Sequence, residues 1–509
     1  MLLSPGQRPT VLMFGCWPDR RGGGISSVTH DLVLGLNEIG WDVLLTYPGS
    51  ILSREETKEA IHATHISNEE PFEWQQATDR AVRFESFGHL IREGMPEFTL
   101  ANVSVIHSHF DTIIPEESSS VEHSYRPLVE HVQRLTGRRP VFVRTRHDDL
   151  QSGLGRLMRL TGVDFLQMNP QHREALLASP SELERIVGEH VRRHRDSLRR
   201  QGYSDSYLDE AIHHVWFIVH QLNLWRREQE DADAIVSLSR SGANLLRHFH
   251  PGGKSNLAHI YNGTSMVDCD RASVDERVRT YHTEAGLRCY RGEAEEQTPI
   301  EFSPHDHKVL YVGRDDHAKG VIEFIHAASR LYHKRPERPL RAILVGEFTV
   351  ERRRELCRID PEHASEYLLF TGWIDDPEVM LSILAFGNVT AIPSYWDSFN
   401  LAACESYLAA TPCVITEGIG AAEIYLEQPA RHGCEIALPI ERPFQAGINR
   451  FHGVRVDSLE SQIARLLDDD ALAYRLGRDG QAFVSRHYDY RVMGRRYTEL
   501  YRSLLAAQN

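Results

Sequence analysis

The sequence predicts an α/β protein with two doubly wound, parallel-sheet domains. Three observations carry this. At 509 residues the chain is too long for one core, and at roughly 150 residues per domain it predicts two or three. Short apolar runs alternate with stretches of helical periodicity through both halves. Alternation of that kind builds a parallel sheet with helices on both faces, and such sheets bind ligands at the C-terminal ends of their strands.

In the N-terminal half, Thr10–Gly15 reads as a strand, Ile25 to Gly40 as a helix and Trp41–Tyr47 as a second strand. Val103–His107, Val141–Thr145, Ala234–Leu238 and Ala258–Tyr261 follow as strands. Gln171 to Glu230 reads as a helical insertion whose alternating charges mark solvated faces. Ser265 to His307 is polar and reads as an irregular linker and loop. The C-terminal half is more regular. Lys308–Gly313, Arg341–Gly346, Tyr367–Thr371, Val389–Pro393, Cys413–Thr416 and Glu435–Pro439 are strands, with helices at Val321 to Tyr332 and Val350 to Arg358. Met493, Tyr497, Leu500, Tyr501 and Leu504 have the spacing of a final amphipathic helix. The expected domains are 1–290, with its insertion near 171–230, and 305–488, followed by a helix over 489–509.

Composition narrows the partners. A net charge of −15 argues against nonspecific nucleic-acid binding and against an anionic membrane surface. No apolar run approaches the ~18 residues of a membrane span, and the N-terminus lacks the order of a signal peptide. The seven cysteines are scattered and form no C-x-x-C pair, so a disulfide framework and a zinc site are both disfavoured and a cytoplasmic location is expected.

The most informative segment is Pro393 to Glu405, a strand end, an acidic turn, then a helix expected to begin near Phe399. Helix N-termini offer unpaired N–H groups and a positive dipole end to anions. Asp397 and Glu405 bracket that start, and at ~1.5 Å of rise per residue they stand roughly 10–12 Å apart. The alternative is an ordinary capped helix. Arg314 and Lys319 leave another strand end, where two cations are costly unless they meet an anion. The plain alternative is an Arg314 paired with Asp315 or Asp316. Gly22-Gly23-Gly24 opens a helix after the first strand, as a tight turn or as a loop facing phosphate or sugar. It lacks the G-x-G-x-x-G fingerprint, and no acidic residue closes the second strand, so a nicotinamide or flavin cofactor is not expected. His147 follows the strand Val141–Thr145, where a histidine is either structural or turned toward a cleft. His107-Ser108-His109 has metal-like alternation without an assignable carboxylate, and no metal site is expected.

Taken together, these segments resemble the retaining glycosyltransferases of family 4 (glycosyl transferases group 1). The likeness is good from Gly313 to Glu423 and thinner at Gly22–Gly24, Arg146-His147-Asp148 and Ile260-Tyr261-Asn262-Gly263. Its most specific element is a carboxylate, seven residues, then a glutamate, which falls on Asp397 and Glu405. The resemblance implies a GT-B fold, with two Rossmann-like domains facing across a cleft. It implies an N-terminal domain for the acceptor, a C-terminal domain for the nucleotide-sugar, and a last helix packing back on the N-terminal domain.

By this likeness Arg314 and Lys319 would neutralise the donor diphosphate. Glu405 would hold the ribose and Asp397 a hydroxyl of the donor sugar. Amides of Phe399, Asn400 and Leu401 would support sugar and phosphate, with Gly23 and Gly24 at the diphosphate and His147 facing the sugar. The chain departs from the family pattern twice, with Asp397 for the usual glutamate and Asn400 for the usual glycine. The implied activity is metal-independent, cofactor-free transfer of a hexosyl unit from a UDP, GDP or ADP sugar to a hydroxyl of a soluble sugar or polar natural product. A nucleotide-sugar epimerase and a non-catalytic binding protein are the alternatives.

Overall fold

The structure is a computed structural model. It describes residues 9–14, 24–47, 82–83, 103–109, 126–147, 157–158, 160–165, 167–200, 205–213, 215, 218–219, 231–249, 256–283, 285–417, 419–425, 437–440 and 454–508. The chain divides into two compact units. The first gathers 1–148, 220–265 and 487–509, and the second 149–219 and 266–486.

The first unit holds a sheet of β1 (Thr10–Phe14), β2 (Asp42–Tyr47), β3 (Val82–Arg83), β4 (Val103–Ser108), β5 (Val141–Arg146), β6 (Ala234–Ser237) and β7 (Asn256–His259). Their order is β3-β2-β1-β4-β5-β6-β7, and every pairing is parallel. β1, β5 and β6 are buried along their whole length, and they read as apolar runs rather than alternating ones except at the end of β5, where Arg144, Thr145 and Arg146 are also buried. The order reverses between β1 and β4, so the crevice where such sheets take ligands lies at their C-terminal ends. His109 is fixed there, its N–H donating to the carbonyl of Phe14 at 2.9 Å.

The helix Tyr490–Ala507 belongs to this unit and packs on the helix Gly24–Ile39. Met493, Tyr497, Tyr501 and Leu504 form its buried stripe. The two backbones nearly touch at Gly35 and Gly494: a Cβ on Gly35 would lie 2.6 Å from the carbonyl oxygen of Tyr490. No larger residue fits that crossing unless the helices separate.

The second unit carries β8 (Leu287–Arg291), β9 (Thr298–Ile300), β10 (His307–Val312), β11 (Leu340–Val345), β12 (Leu368–Gly372), β13 (Val389–Ile392), β14 (Cys413–Thr416) and β15 (Ala437–Ile440). Their order is β15-β14-β13-β10-β11-β12-β8-β9. β10 to β15 are parallel, whereas β8 and β9 add an antiparallel edge. Here the order reverses between β10 and β13, and the residues that follow these two strands build the candidate site.

Three sequence expectations are corrected. Ser265 to His307 is not irregular: it forms a 3-10 turn at Ser265–Asp268, a helix at Arg271–Tyr281 capped by Asp270, and the β8–β9 hairpin. β8 buries Leu287 and Cys289 while exposing Arg288 and Arg291. That half-polar alternation, in a strand of the edge hairpin, gives no apolar run to notice. For the same reason the first unit ends at Ser265 rather than near 290, since β8 pairs with β12. Part of the insertion forms the helices Pro170–Leu177, Pro180–Arg200 and Asp205–Asp209, laced by exposed ion pairs such as Arg185–Glu189 and Arg195–Asp209. The compact units place 149–219 with the second unit rather than with the first.

Candidate active site

In the second unit the turns after β10 and β13 are tied together. Tyr395 N–H donates to the carbonyl of Ala318 at 2.7 Å, and the hydroxyl of Tyr395 bonds Glu323. Gly320 makes this approach possible. Its φ is +70°, and a Cβ there would lie 2.3 Å from the carbonyl oxygen of Pro393. Lys319 Nζ consequently reaches Asp397 Oδ2 at 2.5 Å, with side chains only 20% and 15% exposed. Arg314 is exposed at the end of β10. Its two neighbouring carboxylates are otherwise engaged: Asp315 pairs with Arg352 at 2.9 Å, and Asp316 accepts from Ala318 N–H at 2.8 Å.

The helix after the acidic turn is Leu401–Leu408, two residues later than the expected start at Phe399. Asn400 is its N-cap, with φ +80°. Its Oδ1 accepts from Ala403 N–H at 3.1 Å, and its Nδ2 donates to Asp397 Oδ2 at 2.9 Å. One asparagine thus caps the helix and holds the carboxylate in place. The left-handed backbone explains why this position takes glycine or asparagine. Asn400 is buried and its amide turns back into the fold.

Helix geometry leaves the N–H groups of Leu401 and Ala402 without intrahelical partners. Leu401, Ala402 and Glu405 are half-exposed, while Ala403, Cys404, Ser406, Tyr407 and Leu408 are buried. Their i, i+3 and i, i+4 spacing sets Glu405 on the same open face as the first helical turn. The acidic turn is braced from the next strand: Gly420 N–H donates to the Asp397 carbonyl and Ala421 N–H to that of Phe399, both at 2.9 Å. Phe399 itself is buried.

In the first unit His147 is buried directly after β5. Its Nε2 meets His109 Nδ1 at 2.7 Å. His109 packs against His107, with ring centroids 4.4 Å apart and the planes tilted by 36°. His107 is pinned at both nitrogens, by Thr145 Oγ1 at 2.8 Å and Tyr501 OH at 2.5 Å, and Thr145 also bonds Tyr497 OH at 2.8 Å. Burial, reinforced by the Arg144 guanidinium, lowers all three histidine pKa values, His147 to about 3. The cluster is neutral at pH 7. Gly24 opens the helix Gly24–Ile39, and Gly23 lies outside the described residues.

His333, Asp360 and His363 form the one group among the described residues whose ligand atoms lie close enough together to share a cation. The Asp360 carboxylate already accepts from Ser329 at 2.8 Å and pairs with His333 at 3.0 Å, which suits a hydrogen-bond hub within the fold.

Residues 306–450 match the family model of the glycosyl transferases group 1, and they include Arg314, Lys319, Asp397 and Glu405. A sucrose-phosphate synthase from Thermosynechococcus elongatus superposes with a TM-score of 0.58 at 17% identity, over 98% of this chain and 100% of that one. Through residues 306–450 the chain resembles the group 1 glycosyltransferases. The chain is also similar to the glycogen synthase of Mycobacterium tuberculosis H37Rv, 22% identical over 322 residues, which cover 60% of this chain and 71% of the relative. It is 25% identical to a D-inositol 3-phosphate glycosyltransferase of Corynebacterium glutamicum over 222 residues, 40% of this chain and 45% of that one. The Anabaena protein HepE, solved with UDP and glucose, superposes with a TM-score of 0.53 at 15% identity, over 97% of this chain and 100% of that chain. The solved structures show that the fold is GT-B.

The structure therefore brings Lys319, Asp397 and Asn400 into direct contact and sets Glu405 on the open helix face. Sequence reasoning missed the Asn400–Asp397 bond and the tyrosines behind His107. The helical spacing of Tyr497 and Tyr501 marks them as buried but cannot say which buried polar groups they meet.

Proposed function

We propose that this enzyme transfers a hexosyl unit from a nucleoside diphosphate sugar to a hydroxyl of a soluble small-molecule acceptor, with retained anomeric configuration and without a metal ion. The observation that carries the reading is the Lys319–Asp397–Asn400 cluster at the open start of the helix Leu401–Leu408. A diphosphate lying there meets the helix amides, Lys319 and the exposed Arg314. As Lys319 turns toward phosphate, Asp397 keeps its Oδ2 bond from Asn400 and regains carboxylate acceptor capacity for a sugar hydroxyl. Glu405 holds the ribose, Gly24 borders the diphosphate, and His147 hydrogen-bonds the sugar.

In the reaction the bond from the anomeric carbon to the phosphate oxygen breaks as the acceptor oxygen bonds the same face. The acceptor proton passes to the departing phosphate. Arg314, Lys319 and the amides stabilise the charge that develops on the leaving group. The net charge of −15 favours a neutral or cationic soluble acceptor.

Calorimetry against UDP, GDP, ADP and their sugars tests the reading. One nucleotide series is expected to bind, and K319A is expected to weaken binding and lower turnover by ~100-fold or more. Binding of none, or near-normal turnover of the variant, overturns it. Transfer that persists in excess chelator and yields the donor's anomeric configuration is expected; loss with chelator removes the metal-independent mechanism.

A further inference from the structure

We propose that His109 is a positioning residue that fixes the tautomer of His147, so that His147 presents its Nδ1–H, a donor, to the sugar substrate. The proposal rests on the reading that His147 touches substrate. His109 and His147 are 2% and 8% exposed, and the 2.7 Å contact joins His109 Nδ1 to His147 Nε2. That bond consumes the Nε2 of His147 and leaves Nδ1 as its outward nitrogen.

Two neutral imidazoles in this contact have only two proton arrangements. In one, His147 donates from Nε2, and His109 carries its own proton on Nε2. In the other, His109 donates from Nδ1, and His147 carries its proton on Nδ1. The deciding atom is His109 Nε2, which is buried and has no hydrogen-bond partner among the described residues. The first arrangement strands an N–H there; the second leaves only a lone pair. Orphaned buried N–H groups are the rarer and costlier defect. The second arrangement therefore holds. His109 is held in place, since it packs against a His107 ring anchored at both nitrogens and its backbone is bonded to β1. The cluster stands at the β1–β4 reversal, where this kind of sheet takes its ligands.

NMR of the full-length enzyme with isotope-labelled histidine, the His147 signal assigned by its loss in H147A, reads the tautomer directly. A proton on Nδ1 is expected, and a proton on Nε2 overturns the proposal. H109N places an amide where Nδ1 stood and can still donate, whereas H109L cannot. H109L is expected to lower kcat about 10–100-fold with little change in nucleotide affinity, and H109N to recover most of it. A folded H109L with wild-type kcat, or an H109N no better than H109L, also overturns the proposal. Should H109L fail to fold, the wild-type tautomer and H109N still decide. Full activity in H147A removes the role of His147 itself and leaves the tautomer result to stand separately.

Discussion

Asn400 does three things with one side chain. It tolerates φ +80°, caps the helix through Oδ1 and donates Nδ2 to Asp397. Each of these has a separable cost. Asn400→Ala strains the left-handed backbone and removes the cap, so it is expected to lose about 2–3 kcal/mol of stability. Asn400→Gly restores the backbone freedom and loses only the side-chain bonds, at about 1 kcal/mol. Urea unfolding measures both, and equal losses would show that the backbone conformation is not what selects the residue. The sequence marked Asn400 as a departure from the family's glycine. It could not show that an amide replaces lost freedom with a hold on Asp397, because that depends on where the side chain turns.

Elements were more legible than contacts. The expected Cys413–Thr416 strand is observed with the same bounds, and the other strands of the parallel core are observed within a few residues, because buried parallel strands are continuous apolar runs. The edge hairpin β8–β9 escaped notice because half its residues face water. The ends of β4 and β5 carry a further expectation. In the unfolded chain His107, His109 and His147 take up protons as pH falls through about 6.5. In the fold they stay neutral far below that, His147 to about 3. The unfolded state thus binds more protons in this window, and stability is lost as pH falls below about 6.5. Each histidine contributes a slope approaching ~1.4 kcal/mol per pH unit. Unfolding free energy measured from pH 7 to 5 is expected to fall less steeply in His147→Asn than in the wild type. Parallel profiles would contradict a neutral, buried His147.

At the scale of the molecule, two sheets carry the same device. In each, the strand order reverses beside the first core strand, β1 against β4 and β10 against β13, and the chemistry-bearing residues follow those strands. The alternation of strands and helices gave that architecture from sequence alone. The closure of the first unit by the chain's latest described helix followed from the family resemblance and not from that alternation. The Gly35–Gly494 crossing makes the two helices inseparable in packing, although 458 residues lie between those glycines. The ribosome adds ~5–20 residues each second, so the early sheet waits tens of seconds for its missing wall. The usual sequence, in which the first-made domain folds first, is inverted. Protease pulses on stalled nascent chains ending just after residue 486 are expected to spare the second unit's core and cut the first; protection of both would refute the inversion.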